Sequence, residues 1–161
     1  MEGEDFDEGD FFGAIERSGA RVLLIGRRAL IAIGIPVLTA DYDLWIPADD
    51  AEKLNGALEA LGMIANRTPT EARRVGRYVI ENGEHVDVLI ARQVSTQDGV
   101  PVLFDEVYAR AASVTVAGGA IIRVPCVEDL ILTKRFGARP RDLADIDLLR
   151  AFAARRARRH E

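Results

Sequence analysis

The sequence predicts an α/β domain. Two observations carry this. Short β-branched apolar runs alternate with helix-period runs through roughly the first sixty residues. Further on, two alternating strands flank Asn82-Gly83, the strongest short hairpin signal. At 161 residues the chain fits one domain, long enough to bury a core without a disulfide or structural metal.

The elements follow in order. After a short helix around 11–17, residues 22–25 read as a buried strand by length and β-branching, ended by Gly26. Residues 27–33 form a short helix that Gly34 stops. Residues 39–46 are the next strand, and 48–61 a helix opened by Asp49 and Asp50 and stopped by Gly62. The hairpin strands run 76–80 and 85–90; a two-residue Asn82-Gly83 loop sets Tyr78 opposite Asp87. Residues 105–112 read as a helix, 113–116 and 121–124 as strands around Gly118-Gly119, and 127–136 and 140–154 as closing helices. No internal repeat or low-complexity linker interrupts them. Six acids in residues 1–10 and four arginines in 153–161 mark both ends as solvated, flexible extensions.

Composition excludes little but orders the possibilities. Hydrophobic residues make up 48%, charged residues 29%, and the formal net charge is -5, an ordinary globular profile. The acidic balance argues against a large non-specific nucleic-acid surface, while a local basic groove for RNA or a triphosphate stays open. The single cysteine, Cys126, rules out an internal disulfide or a cysteine-rich zinc site and reads as a small core residue. The N-terminus is acidic, and no apolar run reaches ~18 residues, so the expectation is a cytoplasmic protein with no membrane span.

Three features could carry chemistry. On an extended strand alternate side chains share a face, so Asp41, Asp43 and Trp45 point one way and Tyr42, Leu44 and Ile46 the other. Two crowded carboxylates repel unless a cation offsets them, and hard oxygen donors suit magnesium or manganese; the bland alternative is a solvated strand edge. Asp87 is a charge inside the apolar strand Val86-Asp87-Val88-Leu89-Ile90, which wants a partner there or a solvent-facing edge. At Gly26 a strand passes into a helix, leaving the first helical N–H groups free for an anion.

In this order the stretches 23–30 (LLIGRRAL) with Gly34, 38–46 (LTADYDLWI), 85–89 (HVDVL), 124–134 (VPCVEDLILTK) and 139–146 (RPRDLADI) resemble the nucleotidyltransferase superfamily related to DNA polymerase β. Within it they look like the small bacterial abortive-infection and toxin-type group, over about residues 21–152. The resemblance implies a nucleotidyltransferase-like mixed β-sheet flanked by helices, with C-terminal helices. It implies two divalent ions, Mg2+ or Mn2+, bridged by Asp41 and Asp43 with Asp87 as third carboxylate. Asp87 then helps deprotonate an acceptor hydroxyl, which attacks the α-phosphate in line and expels pyrophosphate.

The implied nucleotide contacts are Gly26, Arg27, Lys134 and Arg139. The family's usual Gly-Ser or Gly-Gly pair at the triphosphate turn is Gly26-Arg27 here, so the arginine either clamps phosphate or obstructs it. Lys134 shares a helix side with Val127, Leu130 and Ile131, and is either a snorkelling lysine or a triphosphate contact. Arg139 and Arg141 are candidate phosphate contacts, while Asp142 in the first turn of the last helix reads as structural. His85 reads as a hydrogen-bonded bystander and Trp45 as core or as a wall of the nucleotide pocket.

The functional expectation is metal-dependent transfer of a nucleoside monophosphate from a nucleoside triphosphate such as ATP to a hydroxyl. RNA, protein or a small molecule is the acceptor, with a toxin–antitoxin or defence setting and an antitoxin or other partner protein. The alternative is a catalytically silent binding or regulatory module on the same fold. If the enzymatic reading holds, Asp41, Asp43 and Asp87 cluster on adjacent strands with Gly26 facing the same cleft.

Overall fold

A computed structural model describes residues 6–137 and 139–159. The parts of the expected flexible extensions that fall on residues 1–5 and 160–161 lie outside the described residues.

A seven-stranded mixed sheet forms the centre. Its strands are β1 (Leu23–Ile25), β2 (Tyr42–Ile46), β3 (Ile64–Ala65), β4 (Arg77–Asn82), β5 (Glu84–Ile90), β8 (Ala112–Thr115) and β9 (Ile121–Val124), in the order β3-β4-β5-β2-β1-β9-β8. β2 runs parallel to β5 and β1 parallel to β9; the other neighbours are antiparallel. A separate ribbon pairs β6 (Gln93–Ser95) with β7 (Pro101–Leu103). The helices are α1 (Glu8–Arg17), α2 (Gly26–Ala32), α3 (Ala51–Glu59), α4 (Pro69–Val75), α5 (Phe104–Arg110), α6 (Val127–Lys134) and α7 (Pro140–Arg159).

Period-two alternation divides the apolar residues between two cores. Tyr42, Leu44 and Ile46 of β2, Val86, Val88 and Ile90 of β5, and Tyr78 and Ile80 of β4 join Phe11, Phe12 and Ile15 of α1 and Leu54 and Leu58 of α3 in the main core. The other sheet face buries Leu23, Ile25 and Trp45 against Val102, Phe104 and Val107. Trp45 is therefore core. It is fully buried, edge-on to Phe104 and Phe136, and its Nε1–H donates to the Ala91 carbonyl at 2.9 Å.

Several elements depart from the sequence reading for local reasons. The strand expected at 39–46 begins only at Tyr42, because side chains take the backbone groups before it. Thr39 Oγ1 accepts the Asp41 N–H at 3.1 Å, and Arg28 donates to the Asp41 and Thr39 carbonyls, each at 3.2 Å. The helix expected at 48–61 opens with a single 3-10 turn (Ala48–Asp50) before α3. Asp50 does not cap it. Its buried carboxylate instead accepts the Arg21 N–H at 2.7 Å and the Arg21 guanidinium at 3.1 and 3.4 Å.

The stop at Gly34 holds: Gly34 N–H donates to Ile31 and Ile35 N–H to Leu30, the paired bonds of a left-handed helix terminus, with Gly34 at φ 104°. The last helix continues to Arg159 rather than ending at 154. β3, α4 and the β6–β7 ribbon had no counterpart in the sequence reading. For α4 the signal was present, since Thr68 and Glu71 form a capping box with Pro69 in the first turn.

The hairpin register is one residue off the expected one. Asn82 pairs with Glu84 about Gly83, which has φ 77°, so Val79, and not Tyr78, stands opposite Asp87. Tyr78 thereby turns into the main core, where its hydroxyl donates to Asn55 Oδ1 at 2.6 Å. Tyr78→Phe removes that donor and is expected to lower stability by about 1 kcal/mol in denaturant unfolding. A cost equal to zero in the Asn55→Ala background and unchanged in wild type would place the energy in this bond.

Candidate active site

Strand register builds the site. In adjacent strands, directly paired residues share a face. Asp43 pairs with Asp87 on β5 and with Ile25 on β1, and Asp87 pairs with Val79 on β4. One row therefore runs Val79, Asp87, Asp43, Ile25 across the sheet, on the face away from the main core. The next row is Arg77, Leu89, Trp45 and Leu23, so the carboxylates stand beside the second apolar core.

A cleft of about 640 Å³ opens over these carboxylates. Gly26, Arg27, Asp41, Asp43, Asp87, Lys134, Arg139, Arg141 and Asp142 all line it, which brings the candidate residues of the sequence together. Trp45 does not line it. Asp41 precedes β2 rather than lying on it, yet borders the same cleft. Among the described residues, no three His, Cys, Asp or Glu side chains are gathered into a metal-binding group.

Gly26 has a steric reason. Its φ is 69°, and a Cβ there would lie 2.4 Å from Asp43 Oδ2. Only a hydrogen fits between the strand-to-helix turn and the carboxylate. The turn and Asp43 are thus one unit.

Burial pushes the Asp43 carboxyl up to about 6, and the Asp87 and Asp41 charges add to it, while Lys134 and Arg139 pull the other way. A site that disfavours its own negative charge in this way fits a bound cation, and its oxygen donors are the kind that magnesium or manganese takes.

The cations around it are braced from behind. Asp145 is fully buried and accepts from Lys134 Nζ at 2.7 Å and from Arg27 Nη2 at 3.1 Å and Nε at 3.3 Å. Burial alone would raise the Asp145 carboxyl, but these bonds outweigh it and hold it below the usual range. Arg27 Nη1 also donates to the Leu38 carbonyl at 2.9 Å, so this arginine ties α2 to α7 and to the segment before β2. Arg139 is held bidentately by buried Asp142 at 3.0 and 3.2 Å.

His85 is more than a neighbour in sequence. Its Nε2 lies 3.2 Å from Asp87 Oδ1 and its Nδ1 3.0 Å from Glu81 Oε1. Desolvation disfavours the charged ring, but the bonds to Asp87 and Glu81 prevail and raise its pKa. Cys126 lies elsewhere, its thiol 3.2 Å from Asp129 Oδ2 and raised by burial.

Sequence reasoning gave no role to Asp145, Thr133, Asn66, Arg67 or Arg77, all but Asp145 bordering the cleft. Asp145 carried a signal: it shares a helix side with Asp142, Ile146 and Leu149, which are buried. Arg77 was hidden by the slipped hairpin register, and nothing in the sequence marks Arg67.

No protein-family model and no curated protein matches the sequence. Solved structures do. The antibiotic-resistance factor ANT(2'')-Ia in solution aligns with 94% of this chain and 91% of its own, at 15% identity and TM-score 0.59. The crystal structure of ANT(2'')-Ia in complex with adenylyl-2''-tobramycin covers 87% and 83%, at 14% and 0.60. The lincosamide antibiotic adenylyltransferase LnuA, lincomycin-bound, covers 91% and 98%, at 15% and 0.60. These likenesses show the nucleotidyltransferase fold.

The raised Asp43 pKa has a stability consequence. The folded state holds the proton more tightly than the unfolded chain, whose Asp titrates near ~3.9. Stability is therefore lost as pH rises from about 4 through 6, and the full penalty stands above that. Asp43→Asn is expected to raise stability at pH 8 by about 1–2 kcal/mol, discounted for partial exposure, with the gain shrinking towards pH 4. Thermal unfolding at both pH values checks it; a gain independent of pH contradicts it.

Proposed function

We propose that the chain transfers a nucleoside monophosphate from a nucleoside triphosphate to a hydroxyl group, with a divalent cation. The observation that carries the reading is the pairing of Asp43 with Asp87 beside Gly26, in a cleft that Lys134, Arg139 and Arg141 also line. It is supported by the fold shared with an adenylyltransferase and with a factor crystallised with an adenylylated antibiotic, which favours ATP as donor.

Each residue has a part. Asp43 and Asp87, with Asp41 at the edge of β2, would hold magnesium or manganese. Bound there, the ion would neutralise the carboxylates and the triphosphate and polarise the α-phosphate. Gly26 lets the triphosphate lie close to Asp43, and Lys134, Arg139 and Arg141 offset its charge from α6 and α7. His85 occupies Asp87 Oδ1, leaving Oδ2 to accept the proton of the acceptor hydroxyl. The hydroxyl oxygen bonds to the α-phosphorus, the bond to the bridging α–β oxygen breaks, and pyrophosphate leaves.

Arg27, the motive for the catalytically silent alternative, is engaged with Asp145 and Leu38. The transferase reading is therefore preferred over a binding module. The toxin or abortive-infection setting, RNA as acceptor and an antitoxin partner rest on the sequence resemblance, and a cytoplasmic location on the acidic N-terminus and the lack of a long apolar run; among the described residues no helix is long and apolar enough to cross a membrane.

Incubation with α-labelled ATP, magnesium and cell extract is expected to label an acceptor and release pyrophosphate. Chelation with EDTA abolishes both, and Asp43→Ala or Asp87→Ala lowers the rate about 10³-fold or more. Tight ATP binding with no labelling in any extract would favour the silent module instead.

A further inference from the structure

The cleft extends beyond the carboxylates in both directions, and the proposed reaction gives the triphosphate only one of them. In the sheet order, β1 and Gly26 lie on one side of Asp43 and Asp87, and β4 and β3 on the other. On that outer side the cleft is lined by Asn66, Arg67 and Arg77.

Arg77 pairs with Leu89, two residues along β5 from Asp87 and on the same face. Such diagonal neighbours lie ~7–8 Å apart at their Cα atoms, within the reach of an arginine. Arg67 is pre-oriented: its Nη1 donates to the Arg77 carbonyl at 2.7 Å, which leaves most of its five-donor fork free. Asn66 Oδ1 accepts the Val79 N–H at 2.8 Å, so the amide's NH2 end remains available.

The charges on the two sides are handled differently. Arg27 and Lys134 are paired with Asp145, and Arg139 with Asp142. Arg67 and Arg77 have no ion pair among the described residues, although both line the same side of the cleft. Two guanidinium groups and an amide donor lining one side of the cleft match an oxyanion in charge and in hydrogen-bond donors. A cationic acceptor would meet repulsion there.

Resting on the transferase reading, we infer that Arg67, Arg77 and Asn66 form an acceptor-side anion subsite. The acceptor is then a hydroxyl compound with a phosphate or carboxylate a few bonds from the reacting oxygen. The subsite holds that anion while the hydroxyl lies over Asp87. Selection of acceptors by charge follows: anionic ones are taken, neutral and polycationic ones refused.

The test separates this claim from the one it rests on. The full-length protein, with magnesium, is first titrated with a non-hydrolysable ATP analogue by calorimetry, which reports on the triphosphate side alone. Glycerol 3-phosphate, glycerate, glycerol and tobramycin, whose amines are protonated at neutral pH, are then added to the loaded protein up to about 50 mM, where a millimolar Kd saturates. The NMR signals of the Arg67 and Arg77 Nε–H groups are followed. Saturable shifts with glycerol 3-phosphate, glycerate or both, and none with glycerol or tobramycin, are expected; the stronger of the two identifies the anion. The Arg67→Gln/Arg77→Gln double variant is expected to weaken that binding about tenfold or more while changing ATP-analogue affinity less than about twofold. Anion shifts confined to Lys134, Arg139 and Arg141, no shifts at Arg67 and Arg77, or wild-type anion affinity in the double variant overturns the subsite. Failure of the ATP analogue to bind overturns the transferase reading, and the anion titration repeated on the unloaded protein still decides the subsite.

Discussion

Asp43 and Asp87 stand side by side on neighbouring parallel strands, on a face where water is partly excluded. Two carboxylates so placed repel each other: burial lifts Asp43 to about 6, and the Asp87 and Asp41 charges add to that lift while Lys134 and Arg139 oppose it. Much of the surrounding structure is arranged about this pair. Gly26 is a glycine because the turn rests on Asp43, and Lys134 at the end of α6, with Arg139 and Arg141 at the start of α7, lines the same cleft. Leu89 and Trp45, in the next row, seal the sheet beside it with apolar packing.

The braces behind the cleft extend this logic. Lys134 is buried, and a buried ammonium without a partner would lose its charge or destabilise the fold. Asp145 supplies the partner, and by also taking Arg27 it links three helices, α2, α6 and α7, at the point where they meet the cleft. The orientation of Lys134 is thereby fixed by the fold itself, a form of electrostatic preorganisation. Asp142 repeats the device for Arg139 in the first turn of α7.

Local signals carried much of this fold and site into the sequence, and the failures have physical causes. Alternation along Asp41 to Ile46 correctly divided the acids from Tyr42, Leu44 and Ile46, because the period of a strand does not depend on its surroundings. Strand pairing and register do. An Asn-Gly pair is compatible with more than one loop length, and a shift of one residue moved Tyr78 into the core and Arg77 onto the cleft face. Asp41 was expected on the strand, but Thr39 two residues before it and Arg28 of α2 captured the backbone there. The Arg27–Asp145 pair spans 118 residues, so its pairing left no local trace, and the arginine that read as a clamp or an obstruction at the cleft also ties α2 to α7. The α4 capping box, by contrast, was legible and simply unread.

The transferase reading makes the Asp43–Asp87 pair a cation site at which a triphosphate is held on the Gly26 side. Its most direct test is a crystal grown with Mn2+ and a non-hydrolysable ATP analogue, using anomalous scattering to locate the metal. The account predicts a manganese peak coordinated by both Asp43 and Asp87, with the triphosphate running past Gly26 towards Lys134 and Arg139. A triphosphate bound in the cleft with no manganese on either carboxylate, or manganese bound away from the pair, would contradict it.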